Sequence, residues 1–149
     1  MKLTIELVPK TTWYINLRKE LSKSDWDFLR KLTYKKANHT CEICGKKDEI
    51  NPIECHEIWK FDDVNRIQIL EKLIALCRNC HQVKHIGLAQ ATGNYEKAFN
   101  HLMLVNNMSF KEAEHYIGEC FQIWDERSRF SYKVNIDWVK QFVKVKNHM

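Results

Sequence analysis

The chain has 149 residues, 29% of them charged and a formal net charge of +5, enough for one domain that buries its own core. Roughly 68–70% of the unfolded surface is buried at this size, so stability need not rest on metal alone. No stretch approaches the eighteen or so apolar residues of a membrane span and Glu6 interrupts the apolar start, so neither a span nor a secretory leader is expected. The pI near 8.9 is compatible with a polyanionic partner, but the bias is mild. Most of the six cysteines come in C-x-x-C pairs with histidines interleaved, which favours metal over disulfides and a reducing, cytoplasmic setting.

Leu3 to Val8 alternates apolar and polar residues and stops at Pro9, the pattern of a short strand. A helix is expected from Ser24, with Asp27 three positions on as a capping box. Its inward stripe is Trp26, Leu29 and Thr33, with Lys31, Lys35 and Lys36 facing water. Ile53 to Trp59 reads as a strand entered from Pro52, and Phe61 to Asn65 as a turn-rich loop. A return strand lies within Ile67 to Leu76, broken at Glu71-Lys72. A helix starting near Asn79 carries His81, Val83, His85 and Ile86 and ends at Gly87 or Gly93.

The remainder reads as helical. Tyr95, Ala98, Phe99, Leu102 and Val105 form one stripe, and Ser109 with Glu112 makes a capping box for the next helix. That helix turns Ala113, Tyr116, Ile117, Cys120, Phe121 and Trp124 inward, so Cys120 is expected as a buried thiol. Tyr132 to Ile136 alternates as a short strand, and Asp137 caps a last amphipathic helix through Trp138, Phe142 and Val143. The expected fold class is α+β in a single domain 1–149: an N-terminal strand and helix (1–38), a metal module (39–90) and a mostly helical extension (91–149).

The chemistry concentrates between Cys41 and His85. Cys41-x-x-Cys44 and Cys77-x-x-Cys80 stand 32 residues apart and can close one tetrahedral zinc site, because thiolate is the ligand that zinc prefers in closed structural sites. The separation exceeds that of a short zinc ribbon by what an inserted hairpin would need. His81 and His85 are i and i+4, so a helix puts both imidazoles on one face, ready to share a second ion. His56 lies between the two cysteine pairs.

The ordered series Cys-x-x-Cys, a strand with His56, an apolar return strand, then Leu76-Cys77-x-x-Cys80-His81 and a further His85 resembles the zinc-containing branch of the HNH nucleases, over roughly residues 41–86. What the resemblance implies is a ββα-metal core clamped by a four-cysteine zinc site, with the terminal segments added around it. It implies an endonuclease that hydrolyses phosphodiester bonds, with DNA as partner and one catalytic divalent ion (Mg²⁺, Mn²⁺, Ni²⁺ or Zn²⁺) besides the structural Zn²⁺. His56 takes the place of the general base, and His81 and His85 match the metal ligands. Cys55 stands where the family has an Asp or His ligand, so it is either a thiolate ligand or a core residue. The family's central Asn is unmatched, with Lys72 in its place. Lys72, Arg78 and Lys84 are candidate phosphate contacts. Glu54 and Glu57 flank His56 and are expected on the opposite strand face, although one of them can orient an imidazole.

Two rival readings stand beside this one: a catalytically inactive zinc module that binds nucleic acid or protein, and a second, purely structural zinc at the histidines.

Overall fold

A computed structural model describes residues 1–144. Two long strands, β1 (Glu54–Asp62) and β2 (Ile67–Leu76), form an antiparallel hairpin. A short β3 (Lys133–Asn135) adds in parallel along the start of β2, giving the order β1-β2-β3. The fold is therefore mixed α+β around a small sheet. β1 runs further than expected, because the turn is made by residues beyond Phe61: Asp62 accepts from the amides of Val64 and Asn65. The expected break at Glu71-Lys72 is a β-bulge. Ile58 pairs with Lys72 and Trp59 with Leu70, so Glu71 is the extra residue and β2 continues through it.

The sheet has a core on each face. On one side Ile58, Ile74 and Leu76 pack with the N-terminal segment, both cysteine pairs and four helices: α3 (Arg78–Lys84), α4 (Ile86–Ala91), α5 (Tyr95–Asn106) and α6 (Phe110–Arg127). On the other side Trp59, Leu70 and Leu73 meet α1 (Leu17–Glu20), α2 (Lys23–Lys36) and Val139. Each fully buried leucine or isoleucine in these cores contributes roughly 1.5–3 kcal/mol. The buried residues of α2, α5 and α6 all fall on the expected stripes, with Tyr95, Val105, Tyr116, Phe121 and Trp124 half-buried at their edges, and the Ser109–Glu112 capping box forms. Helix α2 instead starts two residues earlier than expected. Ser22 is its cap, accepting from the Asp25 amide, and Ser24 lies inside the first turn.

Residues 3–8 belong to no helix or sheet, with a bend at Leu3. Side chains of the helical extension bond this backbone instead. Asn106 bonds both the amide and the carbonyl of Leu3, Tyr116 accepts from the Ile5 amide, and Trp124 donates to the Val8 carbonyl. Leu3 and Ile5 are buried beneath them. The alternation is real, but helix side chains supply the partners a neighbouring strand would have given. The expected last helix is a 3-10 turn at Asp137–Gln141.

Candidate metal centres

Among the described residues, two groups of ligand-type side chains converge: Cys41, Cys44, Cys77 and Cys80, and His56, His81 and His85. In each group one ligand atom per residue lies within 4.8 Å of all the others.

The sulfur group is built from two turns. In the first, Gly45 takes a left-handed φ of +77° and donates to the Cys41 carbonyl, while the Cys44 amide points at Cys41 Sγ. In the second, Cys77 is the N-cap of α3 and its sulfur accepts from the Cys80 amide. Glu42 locks the two turns together, its amide donating to the Ala75 carbonyl and its carboxylate accepting from the Ala75 amide. Cys44 and Cys77 sulfurs lie 3.6 Å apart. A tetrahedral ion with bonds of about 2.3 Å sets its ligands about 3.8 Å apart, so the spacing fits zinc. The protonation energetics fit too. A bond from Cys80 holds the Cys41 thiol well below its usual range, while that same bond and burial push Cys80 up, and burial pushes Cys77 up. Four thiolates at this distance need a cation between them. These four cysteines are positioned to hold a metal ion such as zinc.

The imidazole group has a different construction. His56 comes from β1, while His81 and His85 come from α3 and its C-cap. The His56 ring centroid is 5.1 Å from each of the others, and those two are 4.7 Å apart. His81 and His85 approach at 3.1 Å between Nε2 atoms. Bonds of about 2.0–2.1 Å place cis ligands about 2.9–3.4 Å apart, so one ion can take both. His81 Nδ1 donates to Glu54 at 2.7 Å, which leaves its Nε2 lone pair facing the cluster. Burial first, then the neighbouring imidazoles, push His56 down to about 2. His85 is exposed overall, yet its Nε2 turns inward, and burial with His81 beside it lowers it to about 4. Both rings are therefore neutral at pH 7, the state a metal ligand needs.

The remaining site expectations divide. Glu54 does not point away as expected: it is two residues from His56, so the strand period of two puts both on one face, and Glu54 orients His81. Glu57 does face away, accepting from the Leu17 amide. Cys55 also faces away: it packs in the α2-side core, and burial pushes its thiol up to about 12, which removes it from the ligand set. Lys84 is not the free surface cation expected. Its side chain is 3% exposed and its ammonium bonds Glu6 and Thr4, tying the N-terminal segment to α3. Arg78 turns to Asn51. Lys72 is exposed, and its partner Ile58 lies two residues from His56 on the same sheet face. Trp59 is core, and Asp62 and Asp63 serve the hairpin turn and the Arg127 ion pair. Cys120 is a buried thiol on α6.

The clefts lined by Asp63, Arg66 and Arg127 and by Phe28 and Phe142 include none of the three histidines. No helix among the described residues is long and apolar enough to cross a membrane. Searches of protein-family models, curated proteins and solved structures find no match to this chain.

Proposed function

We propose that this chain is a metal-dependent endonuclease of the HNH type, hydrolysing phosphodiester bonds, with DNA as the expected substrate. The observation that carries the reading is the meeting of three imidazoles from β1 and α3, exposed at the His85 edge, beside a group of four sulfurs that can fill a tetrahedral ion. β1, β2 and α3 follow one another in chain order, as the ββα-metal core requires.

His81 and His85 hold the ion, with Glu54 fixing the His81 tautomer. A divalent ion there supplies neutralisation of charge on the scissile phosphate and the leaving oxygen. His56 stands on a rigid strand against both ligands and accepts the proton of the attacking water. Lys72 and Lys60, exposed on the same face of the hairpin, hold flanking phosphates.

One observation favours a variant of this mechanism. His56 is equidistant from its two neighbours and is pushed down to about 2, which makes it a weak proton acceptor and an apt third ligand. In that variant all three imidazoles hold the ion.

The test is nicking of supercoiled plasmid with Mg²⁺, Mn²⁺, Ni²⁺ or Zn²⁺. The reading expects cutting that His56→Ala abolishes with the structural zinc retained. If His56→Ala still binds the exchangeable ion, His56 is the base; if it does not, His56 is a ligand. Intact plasmid under every ion would make the chain a non-catalytic zinc module.

A further inference from the structure

The sulfur group receives its hydrogen bonds unevenly. In each turn the second cysteine's amide points back at the first cysteine's sulfur: Cys44 to Cys41 at 3.5 Å and Cys80 to Cys77 at 3.4 Å. The first cysteine of each pair is thereby served by backbone. Cys80 Sγ has no backbone donor among the described residues, although Cys80 is fully buried. What it has instead is a side chain from the helical extension. His101, on α5, places Nε2 3.2 Å from Cys80 Sγ.

A four-thiolate zinc centre carries two net negative charges, and burying such a charge is costly unless donors meet it. The imidazole N–H is the donor that meets it at Cys80. The ring itself is half-buried, so its polar edge is turned to the sulfur and not spent on bulk water. Nothing in the local sequence of the cysteine pairs announces this partner, since His101 is 21 residues beyond Cys80. It arrives only because α5 packs against α3.

We infer that His101 is a positioning residue of the zinc centre. It donates to the Cys80 thiolate, slows loss of the ion, and makes the extension beyond residue 91 part of the clamp. The inference rests on the four cysteines holding zinc and not on nuclease activity.

The test is zinc release from the full-length protein to a chromophoric chelator, comparing the wild type with His101→Phe and His101→Gln. Phe keeps the bulk against α3 and removes the donor; Gln restores an N–H. Expected are release about ten- to a hundredfold faster for His101→Phe, the usual range for losing such a partner, and recovery toward wild type for His101→Gln. Equal release by all three proteins would overturn the inference. So would a Gln variant as leaky as the Phe variant, which would assign the effect to packing. Cobalt substitution adds an independent arm. A spectrum unchanged by His101→Phe supports a donor outside the coordination sphere, whereas loss of a nitrogen ligand would make His101 a ligand and refute the positioning role.

Discussion

The two ligand groups of this protein sit on neighbouring segments and teach opposite lessons about metal sites. The sulfur group is closed: four thiolates, hydrogen bonds from both turns, and a glutamate that laces the turns together. The imidazole group is open: three rings from two elements, one at an exposed edge, and a single carboxylate behind them. Zinc held by four protein ligands leaves no position for a reactant, whereas three ligands leave at least one. The first arrangement is that of a closed site and the second that of one with a position to spare.

The comparison breaks most visibly if the sulfurs are changed. Cys77→Ser removes one of the four sulfurs while leaving a hydroxyl to cap α3, so its effect reports on the metal rather than on the cap. Since zinc affinity in such sites is folding energy, a loss of several kcal/mol is expected, seen as a lost zinc ion and a collapsed thermal transition. His56→Ala should leave both intact and reduce cleavage by roughly 10²–10⁴-fold if the ring is the base. A variant that lost its zinc as well would show that the groups are not separable.

Next in size is Glu54→Gln. It keeps the shape but weakens the acceptor for His81, and the affinity for the exchangeable ion should fall about ten- to a hundredfold by calorimetry, with the zinc content unchanged.

The open group also predicts a pH dependence. His56 and His85 titrate lower in the folded protein than the free value of about 6.5, so the unfolded chain takes up protons first. Without the exchangeable ion, stability should be full above about pH 6.5 and decline as pH falls through 6 and 5. Urea midpoints across that range should fall less steeply in His56→Gln, which removes the more buried of the two rings.

Smallest is Lys72→Ala. It should leave both metal contents alone and reduce the salt dependence of DNA binding by about one unit of slope.

How much of this was legible beforehand follows the range of the interactions. The cysteine pairs and the i, i+4 histidines are local spacings, and both groups form where the spacing puts them. Meeting His56 with α3 required a hairpin, which the apolar runs supplied even though the bulge at Glu71 read as a break. Glu54 could have been found by counting in twos along β1. Cys55 and Lys84 misled for one reason: nearness in sequence to a site says nothing of which way a side chain turns. The alternation of residues 3–8 was visible, but its partners Asn106, Tyr116 and Trp124 lie over a hundred residues away. His101 lies nearer, 21 residues beyond Cys80, but still outside the local pattern that it completes.

The asymmetry between the two groups is the central claim, and metal analysis after dialysis against a chelator tests it most directly. The account predicts one zinc that stays with the protein and one further ion that exchanges, returns on addition and is lost in His81→Ala. A protein that never binds more than one ion, or a second ion enclosed by four protein ligands, would contradict it.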